Sequence, residues 1–273
     1  MIDLCVMLLA LTTGCLPLWV HIVRAMRPTV RAHPQLQQML ASIKTVAIMP
    51  PGVTVYQGAF GTWVRREEEA AAARAAVAMA IAQEVGHDAS VVFTPFPAPS
   101  VDLEASREPA AARLAAELED TQALFEAVNA SVLLHAYPEK PENFAYSLGP
   151  AVQQFARLAK ADDLLFTSGV DRKLSGGGKA FGAAAALLAL TVEGPRVPSI
   201  GDWLTRVSVA LVDATTGALL WYDVAGSRGA HTLTDPDSAA DLTAEVLKDF
   251  PLGTRPPRKE HDRSDPSRIG GMN

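Results

Sequence analysis

Arg206-Val207-Ser208-Val209-Ala210-Leu211-Val212-Asp213, Ala214-Thr215-Thr216-Gly217 and Ala218-Leu219-Leu220-Trp221-Tyr222-Asp223-Val224 are the consecutive stretches on which the fold turns. The two outer runs are rich in β-branched and aromatic residues and have the length of strands. The run between them ends in Gly217, which is free to take positive φ, and opens beside Asp213, a residue that favours turns. Together they predict an antiparallel hairpin.

Three further β-type runs lie upstream. Lys44-Thr45-Val46-Ala47-Ile48-Met49 is stopped by Pro50-Pro51, Ser90-Val91-Val92-Phe93-Thr94 by Pro95, and Asp163-Leu164-Leu165-Phe166-Thr167-Ser168 opens into Gly169. Val53–Gln57 alternates and reads as a second short strand or an edge segment. Helical patterns fall between these runs. Arg65–Val85 carries Glu67, Glu68 and Glu69 in its first turn, where carboxylates suit the helix dipole, and Val77, Ile81 and Val85 face inward. A long helix follows from Glu108 to about Ala136, with Leu114, Leu118, Phe125, Val128 and Val132 as its apolar stripe. Leu148–Lys160 turns Val152, Phe155 and Leu158 inward. Phe181–Val192 reads as a buried helix, and Pro236–Phe250 as the last helix, with Asp235 as its N-cap.

Strands alternate with helices, and a hairpin and a helix close the series. This predicts an α/β domain over 44–252, with a mixed sheet of about five strands and a C-terminal antiparallel hairpin, packed by helices. Residues 1–23 read as a leader, 24–43 as a tether with a short helix, and the polar, proline-bearing 253–273 as a disordered tail.

The leader carries the main functional signal. Leu4–Leu11 is an apolar run, and Leu11-Thr12-Thr13-Gly14-Cys15 follows it. This motif resembles the lipobox of bacterial lipoproteins, which implies lipidation of Cys15 and attachment to a membrane. The pattern departs from that family in three ways. No basic residue precedes the apolar run, Thr12 stands where Leu is usual, and 16–23 is apolar where a polar tether is usual. An uncleaved membrane helix over 2–23 therefore stays open, since about 20 apolar residues span a bilayer. Arg24, Arg27 and Arg31 would then favour a cytoplasmic domain. Whether the leader is cleaved at Cys15 is left open by the sequence.

The hairpin segment Val209–Trp221 also resembles the Asp-turn-Thr-Gly hairpin of the curli-secretion-lipoprotein-like superfamily, whose fold is similar to the N-terminal domain of TolB. Lys44–Pro51 is similar to the opening strand of that superfamily, and Ala161–Gly169 to its Ala-Asp, apolar strand, Ser-Gly segment. The resemblance implies a lipid-anchored envelope protein, at the outer membrane and facing the periplasm, that works by contacts with a protein partner or with further copies of itself. It does not imply a pore, because no alternating segments of about ten residues with a lipid face are present.

Chemistry is less legible. The 273-residue chain is 49% hydrophobic and 20% charged, with a formal net charge of -6. That composition is globular, and the mildly acidic balance argues against a dedicated nucleic-acid binder. Cys5 and Cys15 are the only cysteines and both lie in the leader, so 44–252 has neither a disulfide framework nor a thiolate zinc site. Ser175-Gly176-Gly177-Gly178-Lys179 fails the phosphate-loop pattern, with Lys173 in place of glycine and Ala180 in place of Ser or Thr, and reads as a connector. His21, His33, His87, His135, His231 and His261 show no metal-ligand spacing, and no Gly-x-Ser-x-Gly elbow occurs.

Asp162, Asp163, Asp171, Asp202 and Asp213 lie near predicted strand ends, where active sites of α/β sheets gather and where Asp also serves as a turn residue. Trp203 and Trp221 read as packing. The sequence thus assigns no catalytic residue, no metal ligand and no cofactor, and the chain reads as a non-enzyme whose one site residue is Cys15. The alternative is a small-ligand or enzymatic site at the loops after Met49, Thr94 and Ser168, which would cluster if their strands are parallel neighbours.

Overall fold

A computed structural model describes residues 31–59, 62–85, 91–97, 109–134, 144–174, 205–227 and 231–253. The leader with Cys15, the Ser175–Lys179 connector, the Phe181–Val192 run, Trp203, Asp202 and the tail from 254 onward lie outside them.

The strands are β1 (Arg31–Ala32), β2 (Thr45–Ile48), β3 (Gly52–Ala59), β4 (Thr62–Arg65), β5 (Val92–Pro95), β6 (Asp163–Leu174), β7 (Thr205–Asp213) and β8 (Leu219–Ser227). The helices are α1 (Leu36–Leu40), α2 (Glu67–Glu84), α3 (Pro109–Leu134), α4 (Val152–Ala159) and α5 (Pro236–Val246). They build an α/β domain around one mixed sheet in the order β1-β8-β7-β6-β2-β5, with β3 also on β6 and β4 on β3. β2 is parallel to both β5 and β6, and the expected hairpin β7–β8 is antiparallel.

The sheet is covered on both faces. Val46, Leu165, Val207, Val209, Leu211 and Trp221 pack with α2 and α5 on one side. Leu164, Phe166, Ala210, Val212 and Tyr222 pack with α3 and α4 on the other. Small residues let α2 lie close, with Ala70, Ala73, Ala76 and Ala80 buried beside Val77 and Ile81. Trp221, 1% exposed, stacks edge-on against Phe250 at 5.1 Å between ring centroids, so it is a core residue as expected. A register shift between Leu211 and Val212 marks a bulge on β8 that places Leu220 and Trp221 together in the α2/α5 cluster.

Several sequence expectations need correction. The first run ends as β2 at Ile48, before Pro50-Pro51, and the chain resumes as β3 on the same side of β6. Ile48 is in register with Leu165 and Gly52 with Ser168, so Met49–Pro51 faces only Phe166 and Thr167. β2 and β3 thus follow each other along β6 with a one-residue offset. Prolines have no N–H to offer β6, and the Gln122 side-chain amide takes the Thr167 carbonyl instead, at 3.1 Å. Gly52 makes room for that amide, since a Cβ there would overlap Gln122. Val53–Gln57 is part of β3: all of it pairs with β6, and Tyr56 and Gln57 also pair with β4. β6 runs past Gly169 to Leu174.

Residues 31–43 are more than a tether. Arg31 and Ala32 pair with Tyr222 and Trp221, and Leu36 and Ile43 are buried. Leu158 on α4 is 49% exposed, not inward, whereas Val152 and Phe155 are fully buried.

Candidate functional site

β2, β5 and β6 are parallel neighbours, so the chain after Met49 and after Thr94 leaves the same end of the sheet, but Ser168 lies inside β6 and opens no loop there, so the three-loop cluster does not form. The chemistry-bearing residues gather at the other end of the strands, where β6 begins and β7 ends.

There a cleft of about 570 Å³ opens between α1, α4 and the β7–β8 turn. Asp162, Asp163 and Asp213 line it beside Arg157 and Lys160, with Met39, Ile43 and Leu220 as apolar walls. Asp163 and Asp213 face each other in register. Lys160 ends α4 in the left-handed region, at φ 53°, and this turn brings the chain round into Asp162.

The three carboxylates have different duties. Asp162 Oδ2 accepts from the Lys44 N–H, the Thr45 N–H and Thr45 Oγ1, each at 3.0 Å, and so splices the start of β2 to β6. Burial opposes its ionisation, but these donors and the Lys44 charge outweigh it and hold the carboxyl below its ordinary value. Asp213 Oδ1 accepts from the Thr215 N–H at 3.1 Å, and from the Thr216 N–H and Oγ1 at 2.6 Å each, which shapes the hairpin turn. Gly217 follows at φ 75°, as the sequence predicts, and a Cβ there would strike the Gly149 carbonyl.

Asp163 is the exception. It is 2% exposed and its Oδ2 has no hydrogen-bond partner. Burial, then the Asp213 and Asp162 charges, push its carboxyl up to about 7, against the pull of the Ala214 amide. A carboxyl held there keeps its proton at mildly acidic pH and gives it up as pH rises past neutrality.

The remaining candidates lie apart. Asp171, 1% exposed, is on the α2/α5 face and accepts from Thr205 Oγ1 at 3.0 Å, Thr232 Oγ1 at 2.6 Å and the Leu233 N–H at 3.0 Å. It ties the 231–235 segment to β6 and does not reach the cleft. Nearby, Lys173 Nζ bridges Glu69 at 2.6 Å and Thr234 Oγ1 at 2.8 Å, and these bonds and the Lys173 charge hold Glu69 below its ordinary value. His33 accepts the Gln35 N–H at 3.2 Å, and His231 lies 4.0 Å from Asp241, so both have local roles. His21, His87, His135 and His261 lie outside the described residues. Among the described residues no group of three or more His, Cys, Asp or Glu is placed to hold a metal ion, and no helix is long and apolar enough to cross a membrane.

No family model and no curated protein matches this chain. Among solved structures, a PelC dodecamer from Paraburkholderia phytofirmans is similar at 15% identity, covering 84% of this chain and 99% of that one, with a TM-score of 0.32. A variant of the same PelC dodecamer in another crystal form is similar at 14% identity, covering 78% of this chain and 89% of that one, with a TM-score of 0.30. A likeness at that level assigns neither function nor assembly to this chain.

Proposed function

We propose that this chain is a bacterial envelope lipoprotein. It is anchored by lipid on Cys15, faces the periplasm from the outer membrane, and works by presenting its α/β domain to a protein partner or to further copies of itself. The observation that carries this reading is the apolar leader ending in Leu11-Thr12-Thr13-Gly14-Cys15. Two features of the domain are compatible with it. Arg31, the first described residue, pairs with Tyr222 of β8. Residues 16–30 then give a reach of at most about 50 Å between anchor and domain. In addition, two of the three carboxylates in the cleft beside α1 and α4 are committed to strand and turn geometry.

The test is the intact mass of the protein expressed in a bacterial host, wild type beside Cys15→Ala, with and without globomycin. A diacyl or triacyl mass on a chain beginning at residue 15, absent in the variant and blocked by globomycin, is the expected result. An unprocessed, unlipidated wild-type chain contradicts the proposal and leaves the uncleaved membrane helix.

A further inference from the structure

The end of the sheet where β6 finishes and β7 begins carries a group of arginines, of which Arg172 and Arg206 form no ion pair among the described residues. Phe166 and Ala210 point to the α3/α4 face. Counting by twos along each strand puts Ser168, Val170 and Arg172 of β6, and Ser208 and Arg206 of β7, on that same face. Arg172 is in register with Tyr56, Tyr56 with Arg65, and Val170 with Arg206. Arg65, Tyr56 and Arg172 therefore form one row across three strands, and Arg206 sits one diagonal step further. With strands about 4.8 Å apart, the three guanidinium-bearing positions fall within about 15 Å. Trp63, in register with Gly58, lies on the same face beyond Tyr56 and is 36% exposed.

Like charges on neighbouring sheet positions repel. Arg65 pairs with Glu67. Among the described residues neither Arg172 nor Arg206 is in an ion pair, and the Arg206 Nε is buried with no hydrogen-bond partner. Burial draws Arg206 below its ordinary value and Arg172 adds to this, while Tyr222 and Glu126 act the other way. Glu126 on α3 is the nearby carboxylate; burial raises it above its ordinary value, and the Arg65 and Arg206 charges act the other way. Behind the arginines, the Tyr222 hydroxyl binds Asn129 at 2.5 Å and Ser208 at 3.4 Å, so that hydroxyl is already engaged.

We propose that Arg172 and Arg206, with Arg65 at the rim, bind a phosphate-type oxyanion, either free or as the headgroup of an anionic lipid. A guanidinium fork matches the oxygen geometry of a phosphate. An anion seated between the two arginines satisfies the orphaned Nε and removes the like-charge repulsion at once. The group stands out because the chain as a whole carries a net charge of -6. The inference rests on sheet register and does not depend on the leader.

The test uses the full chain in neutral maltoside micelles, titrated by calorimetry with inorganic phosphate and, separately, with the same micelles doped with phosphatidylglycerol. Wild type is expected to saturate at one group per chain. Arg172→Gln/Arg206→Gln weakens binding at least about tenfold, and Arg172→Lys/Arg206→Lys gives an intermediate loss, since lysine keeps the charge but not the fork. Arg157→Gln/Lys160→Gln, at the opposite end of the sheet, leaves binding unchanged. Saturation by inorganic phosphate identifies a free anion, and saturation by doped micelles alone identifies a headgroup; either supports the site. No saturable uptake of either probe by wild type overturns it, as does unchanged binding by the glutamine pair. Far-UV circular dichroism accompanies each variant. Should the glutamine pair not fold, the single variants Arg172→Gln and Arg206→Gln decide, each expected to weaken binding about threefold or more.

Discussion

The two ends of the β6–β7 ribbon carry opposite charge and use it differently. At one end Asp162 and Asp213 are bound by backbone amides and threonine hydroxyls, and their charge holds strands and a turn in register. At the other end Arg172 and Arg206 share a sheet face without an ion pair among the described residues. Asp163 stands between these cases, buried like a structural residue but with one oxygen unsatisfied. The lesson is that a charge cluster is judged by what its atoms already bind. The acidic end draws the eye because it lines the cleft, yet most of its capacity is spent, while the basic end has capacity left.

Substitutions at the two ends should sharpen this contrast, and the largest effect is expected where geometry is tightest. Gly217→Ala places a Cβ at φ 75° and against the Gly149 carbonyl, and should lower stability by about 3 kcal/mol in urea unfolding. A loss below about 1 kcal/mol would mean that the acidic end yields more readily than its hydrogen bonds suggest.

The next effect is set by pH. Asp163 is raised to about 7 in the folded chain, so the native state binds its proton more tightly than the unfolded state does. Its contribution to stability is therefore present below the ordinary aspartate value near 4 and is lost as pH rises toward 7. Asp163→Asn should flatten that decline and raise stability at pH 8 by on the order of 3 kcal/mol, read from urea midpoints across pH. An unchanged pH profile would show that the buried oxygen finds a partner in solution.

At the basic end, Arg206→Met removes a poorly compensated buried charge and keeps the apolar stem, so it should stabilise by about 1 kcal/mol in low-phosphate buffer. The smallest effect is expected on α4, where Leu158→Ser at a 49% exposed position should change stability by less than about 0.5 kcal/mol. A larger loss there would point to a contact that covers the face.

Much of the fold is legible in the sequence because its signals are local. The β7–β8 hairpin, the Asp235 cap and the inward stripe of α2 each rest on residues within one or two turns of one another. The Pro50-Pro51 pair ends β2 as its missing N–H suggests, but it hides that the chain resumes along β6 as β3. Here Gln122, some 70 residues along the chain, supplies the absent donor. β4 is hidden because Thr62–Arg65 is too short to show a period. Leu158 sits at helical spacing from Phe155 yet outside the arc that meets the sheet.

The candidate sites are harder to read. Asp162, Asp163 and Asp213 are visible as acids at strand ends, but nothing local distinguishes the unsatisfied one. The arginine group is invisible until register is known, since Arg65, Arg172 and Arg206 come from three different strands. Locally neither stands out: Arg206 alternates with Val207 like Ser208, and Arg172 sits in the polar run Asp171–Lys173.

The measurement that tests the contrast most directly is equilibrium urea unfolding of Asp162→Ala/Asp213→Ala beside Arg172→Gln/Arg206→Gln, at pH 5.5 where Asp163 holds its proton. The acidic-end pair should lose on the order of 4 kcal/mol, because several charge-assisted hydrogen bonds go with it, and the basic-end pair should lose nothing or gain slightly. Equal losses would show that the arginines are as much a part of the fold as the aspartates, and would contradict the account.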